Sequence, residues 1–212
     1  MLMTRRIRRI HQRGDTLIEV LFAFTILSMV IVGAMTIMNQ GTIASRRALE
    51  TTLVRAQIDG QATTLRFLHD AYVAKFQPGL TYEAATPAGQ WKAMTQDISI
   101  TSASSFINVT TCPSPPSGSF ILDAANATYV DVSGAPFVPA STFAQVTYDQ
   151  VSGKISQAQG IWIEAIASNL TGDSQKDNTR YIDFHIMACW ESPGQGPPIT
   201  IGTIVRLYEP RG

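Results

Sequence analysis

The chain has 212 residues, room for one globular domain beyond an apolar N-terminal segment. Charged residues make up 15% of it, well below the ~25% of ordinary soluble domains. Its sixteen Lys and Arg balance sixteen Asp and Glu, but from residue 76 onward six basic side chains face eleven acidic ones, which argues against a broad nucleic-acid groove neutralised by Lys and Arg.

Arg5, Arg6, Arg8, Arg9 and Arg13 precede Gly14. Asp15-Thr16-Leu17-Ile18-Glu19-Val20-Leu21-Phe22 then opens an apolar stretch that runs to Met38, with no further charge until Arg46. Residues 16–38 number 23, and at ~1.5 Å per residue they are long enough to cross a bilayer core with some tilt. The arginines predict that the short N-terminal side stays in the cytoplasm and that everything after residue 40 lies outside. Glu19 does not suit a plain anchor. An acid inside such a stretch costs up to ~3 kcal/mol at mid-depth and less near the interface, so it is read as functional and in need of a cationic partner. If the chain were cut after Gly14, the new α-ammonium at Asp15 of a neighbouring subunit could supply that partner.

The ordered run Gly14-Asp15-Thr16-Leu17-Ile18-Glu19-Val20-Leu21 behind a basic leader resembles the prepilin leader of type IV pilins and of the pseudopilins of type II secretion. The resemblance covers roughly residues 5–40. It implies cleavage between Gly14 and Asp15 by a membrane prepilin peptidase, N-methylation at Asp15, and a role for Glu19 in filament assembly. It also implies a cytoplasmic-membrane precursor that ends in a cell-surface filament, with other pilin subunits and the pilus assembly machinery as partners. Phenylalanine usually follows the glycine in this family. Asp15 departs from that pattern, which favours a minor subunit and weighs against methylation. A secretory signal peptide would need a shorter apolar core followed by a small-residue cleavage site, and Gly33-Ala34 lies inside the run instead. A simple uncleaved anchor explains the arginines but not Glu19.

Four segments are expected: a leader at 1–14, a membrane-spanning half-helix at 15–38, an amphipathic half-helix at 39–77, and an extracytoplasmic β-rich domain at 78–212. The amphipathic stripe is Val54, Ile58, Ala62, Leu65, Leu68, Tyr72 and Phe76, spaced by three or four. Arg55 with Asp59, and Arg66 with Asp70, are placed for i,i+4 ion pairs off the stripe. Gly33, Gly41 and Gly60 should weaken the helix by ~1 kcal/mol each, most at Gly41. Gln77-Pro78-Gly79 should end it.

Beyond Gly79, strand-like runs are expected at 98–101, 106–111, 120–123, 129–132, 143–148 and 161–167. The strongest runs are 181–190, with Ile182, Phe184, Ile186 and Ala188 on one face, and 199–208, with Ile199, Ile201, Thr203, Val205 and Leu207 on one face. The Pro/Gly-rich 193–198 would join these two as a hairpin. The expectation is an α+β fold: an antiparallel sheet covered on one face by the long helix, which is also the pilin-like fold that the resemblance implies. Cys112 and Cys189 both fall on the outside. That placement favours one disulfide; two buried thiols would suit the reversed topology.

The sequence offers little chemistry. No catalytic motif or cofactor motif appears, and no Cys or His spacing suggests a metal. An enzyme is therefore not expected. His185 alternates with Phe184 and Ile186 and is assigned a structural place on the sheet's more exposed face. Residues 172–178 offer oxygens to a calcium ion, but Lys176 sits among them and a solvated turn is favoured. Asn108, Asn126 and Asn169 begin incidental glycosylation sequons, and Arg206 with Arg211 reads as solvated surface. The expected function is a minor pilin or pseudopilin subunit. The alternatives are a displayed binding head for adhesion or DNA uptake, to which the uncharged polar surface and Trp190 beside the Pro/Gly-rich loop would contribute, and a pseudopilin of a secretion system.

Overall fold

The computed structural model describes residues 15–107, 109–132, 136–168, 180–191 and 196–210. Helix α1 runs from Asp15 to Ala74 without interruption. Gly33, Gly41 and Gly60 all lie within it, each with open space where a side chain would sit, so their cost is backbone entropy rather than a packing demand. The helix closes with short i→i+3 bonds, Lys75 N–H to Tyr72 O at 3.1 Å and Phe76 N–H to Val73 O at 3.2 Å. Gln77-Pro78-Gly79-Leu80 then turns the chain: Pro78 supplies the fixed φ, Gly79 takes φ +78°, and Leu80 N–H donates to Gln77 O. These are the residues a type II turn needs at those positions. The chain forms two units, one up to Arg46 and one from Arg47 onward.

In the second unit a five-stranded antiparallel sheet has the order β2-β1-β6-β7-β8. Its strands are β1 (Phe120–Asp123), β2 (Thr128–Asp131), β6 (Ile161–Ala167), β7 (Tyr181–Trp190) and β8 (Ile199–Tyr208). Val54, Ile58, Ala62, Leu65, Leu68 and Tyr72 of α1 are buried in one core with Phe120, Leu122, Ile161, Ile163, Phe184, Ile186 and Trp190. The fold is α+β and pilin-like, with the helix stripe against one face of the sheet. A smaller sheet holds β3 (Phe137–Val138), β5 (Ile155–Gln159) and β4 (Gln145–Tyr148), with β3 parallel to β5. At Gly160, φ +61°, the chain passes from β5 to β6. A Cβ there would run into the Cys189 carbonyl and the Ala140 side chain, so glycine is required by both conformation and space.

Helix α2 (Pro87–Gln96) begins at Thr86, whose hydroxyl accepts from Gly89 N–H at 3.2 Å, and Pro87 occupies its first turn. It delivers Trp91 and Met94 to the core. Neither α2 nor β3 nor β5 was expected from the sequence. Conversely, 98–101 and the described residues of 106–111 are not strands. Ile100 is buried, and Phe106 sets its edge against Trp162 with centroids 6.0 Å apart, so these residues bury apolar surface without joining a ladder. Among the described residues the pairs Arg55–Asp59 and Arg66–Asp70 do not form; Asp70 instead approaches His69 Nδ1 at 3.3 Å.

The far face of the sheet is covered as well. Trp162, Met187 and Cys189 are buried there under Phe106, Cys112, Val132 and Phe137. Cys112 and Cys189 form a disulfide with Cα atoms 5.6 Å apart, across a sequence separation of 77.

Candidate functional site

Asp15 and Thr16 are the first described residues of α1, and Glu19 lies one turn further on. From Leu17 to Met38 the large apolar side chains are exposed, and the helix is long and apolar enough to cross a membrane. The few polar side chains of this stretch are used internally. Thr25 donates to Phe22 O at 2.7 Å, Ser28 to Phe24 O at 2.6 Å and Thr36 to Val32 O at 2.9 Å, the i−3/i−4 back-bonds that make hydroxyls tolerable in an apolar helix. Glu19 is different: it is exposed, and among the described residues no cation lies within ion-pair distance of it. Arg46 is the next cation along the helix, 27 residues on, about 40 Å at 1.5 Å per residue. Among the described residues up to Arg46, none is placed to neutralise Glu19. Gly14 and the arginine leader lie outside the described residues.

The second unit contains polar groups that hold the fold. Gln61, 2% exposed, donates from Nε2 to Leu122 O and accepts at Oε1 from Leu122 N–H, both at 2.8 Å. Strand β1 pairs with β6 only at Phe120–Ile163, and Gln61 occupies the main chain that the diverging strand leaves open. Glu164, fully buried, accepts from Trp162 Nε1 and from Ser104 N–H, each at 2.7 Å. No signal in the sequence marks either residue.

Trp190 overturns one expectation. It is fully buried, and its Nε1 donates to Glu50 Oε2 at 3.1 Å, so it is core and offers no platform to a ligand. Arg206 is likewise committed. It makes a two-pronged bond to Asp183 at 2.7 Å on each arm and lies 4.0 Å above the Tyr181 ring, and the Asp183 hydrogen bond raises its pKa. Its expected neighbour Arg211 lies outside the described residues. His185 is half-buried, opposite Glu164 and Ile204. His69 donates through Nε2 to Tyr208 O at 2.9 Å and packs edge-on to Trp91.

Asp149 organises the β4–β5 turn. Its Oδ1 accepts from Ser152 N–H at 2.7 Å, Ser152 Oγ at 2.8 Å and Val151 N–H at 3.1 Å, and the Ser152 backbone bond leads in lowering its pKa. Asn126 has its amide bonded to Asp123 Oδ2 at 2.8 Å. The expected calcium loop at 172–178, Asn108 and Asn169 lie outside the described residues. Among the described residues no group of three or more His, Cys, Asp or Glu is placed to hold a metal ion.

The family described as the prokaryotic N-terminal methylation motif matches residues 9–35. No curated protein and no solved structure matches the chain.

Proposed function

Since residues 9–35 carry the N-terminal methylation motif of the type IV pilin and pseudopilin family, we propose that the chain is a minor structural subunit of a type IV pilus-like filament. A prepilin peptidase cuts it between Gly14 and Asp15. The leader and the apolar half of α1 hold the precursor in the cytoplasmic membrane, with the β-rich unit outside. On assembly, the Asp15 α-ammonium of a neighbour neutralises Glu19. The observation that carries this reading is Glu19 itself: an exposed carboxylate at the head of an apolar helix, with no cation of the described chain in reach. Transfer of such a pair out of water is favourable only when both charges arrive together and remain hydrogen-bonded. Asp15 adds a second anion beside the ammonium, which suits a subunit present in few copies. The reading assigns no catalysis to the β-rich unit and gives N-methylation of Asp15 no role in assembly.

Burial of Trp190 takes that side chain away from the adhesive alternative, which then rests on the uncharged polar surface alone. The test is N-terminal sequencing of the protein from its own membranes. Chains beginning at Asp15, with the full-length precursor accumulating in Gly14→Val, support the reading. Chains beginning at Met1 or Met3 contradict it.

A further inference from the structure

The two edges of the five-stranded sheet differ. On the β2 edge, Tyr129 N–H is already bonded to Gln90 Oε1 of α2 at 2.7 Å. On the β8 edge no further strand pairs among the described residues. Cys189 N–H donates to Gly160 O on the β6 side, and Glu209 N–H donates to Arg180 O. With the unbroken register from Tyr181–Tyr208 to Trp190–Ile199, antiparallel alternation then fixes every main-chain direction in β8. Ile199, Ile201, Thr203, Val205 and Leu207 bond to β7, while Thr200, Gly202, Ile204, Arg206 and Tyr208 turn their N–H and C=O groups outward. Of these, Tyr208 O is taken by His69, and among the described residues no partner meets the others.

Proteins guard such edges with short strands, bulges, Pro or Lys. Strand β8 is ten residues long, has no register shift, and contains neither Pro nor Lys. Its one charge, Arg206, is held by Asp183. Apolar surface also remains open beside it: Ile204 is 60% and Tyr208 54% exposed, and Ile199, Ile201 and Leu207 are only partly buried.

We propose that β8 is a strand-addition site, which takes an extended segment from a different protein chain with apolar residues at alternate positions. Outward N–H and C=O groups at strand spacing are complementary to another β-strand, and side chains at alternate positions give specificity. A second copy of this chain is the poorer occupant. Its β2 and β4 are four residues long and its β3 two, and Gln90 and Gln57 already engage Tyr129 N–H and Val146 N–H. Pairing β8 with β8 about a two-fold axis would run the two α1 segments from Arg47 to Ala74 in opposite senses, whereas subunits anchored in one membrane run in the same sense. That last step rests on the anchored reading above.

The experiment compares amide exchange of the full-length chain in its own membranes with the same chain purified in detergent. In detergent, Gly202, Ile204 and Arg206 should exchange fast and Thr203 and Val205 slowly. In membranes the outward set should slow by at least about tenfold. Ile204→Pro removes only an outward N–H, a position where an edge strand tolerates proline. It should abolish the gain at Gly202 and Arg206 and leave Thr203 and Val205 slow. Ile204→p-benzoylphenylalanine, irradiated in membranes, should give an adduct with a non-identical chain at an extended segment, lost when Gly202→Pro is added. Equal exchange in membranes and detergent, protection that survives Ile204→Pro, or an adduct with a second copy would each overturn the proposal. Release of the chain by alkaline washing would contradict the anchored reading and leave the exchange result standing.

Discussion

Replacing Gln61 by leucine keeps the side-chain volume and removes both hydrogen bonds to Leu122. The site is closed to water, since Gln61 is 2% and Leu122 0% exposed, so an N–H and a C=O are left without partners. Each such loss costs ~1–3 kcal/mol, and partial relaxation of β1 brings the expected total to about 2–5 kcal/mol. Gln61→Glu keeps the acceptor for Leu122 N–H but points an anion at Leu122 O. Burial raises the pKa of such a carboxyl, and protonation restores the donor. A group with a raised folded-state pKa contributes its stability at low pH and loses it as pH rises through that value. The Glu variant should therefore approach wild type in acid and fall away towards neutrality, while the Leu variant shows no such dependence. Urea unfolding of the full-length chain in non-ionic detergent, followed by tryptophan emission, measures both, because Trp91, Trp162 and Trp190 are all buried. A Gln61→Leu midpoint within ~0.5 kcal/mol of wild type, the range of ordinary surface substitutions, would refute the assignment of Gln61 as the pin between α1 and β1.

Gly160→Ala should destabilise by about 2–4 kcal/mol, since a Cβ meets the Cys189 carbonyl at a positive φ; thermal unfolding equal to wild type would show that the β5–β6 junction relaxes freely. Cys112→Ser should cost ~4 kcal/mol by loop entropy for a separation of 77. Non-reducing mass spectrometry of the wild type should find the two cysteine peptides linked. Asp149 has a lowered pKa from its bonds to the turn, so its contribution to the β4–β5 turn is present above the unfolded value and is lost as pH falls through the folded one. A carboxyl titration midpoint at or above the ordinary ~3.9 would contradict that assignment.

The strands at 120–123, 161–167, 181–190 and 199–208 were legible with the bounds the structure gives them, because their signals are local: period-two alternation in the last two, and short apolar runs, buried on both faces, in the first two. The α1 stripe was legible for the same reason at period 3.6. Strand β5 was not: only Ile155 and Ala158 are apolar in Ile155–Gln159, and its conformation follows from pairing with β3 and β4. Helix α2 had a signal that went unread, Thr86-Pro87 as cap and first turn. Residues 98–101 show the reverse error, apolar alternation in a segment with no strand beside it to join. Gln61 and Glu164 are illegible in principle, since the bonds that define them link residues 61 and 60 positions apart. At the N-terminus the order of residue types carried the reading, and the structure adds that Glu19 has no cation of the described chain within reach.

The ratio of subunit in sheared filaments to subunit in membranes, compared between wild type and Glu19→Ala, tests the central claim most directly. The account predicts that Glu19→Ala inserts and is cleaved normally yet enters filaments at a small fraction of the wild-type ratio, with Glu19→Gln close to it because charge rather than size is missing. A Glu19→Ala ratio equal to wild type would contradict the claim that this carboxylate drives assembly.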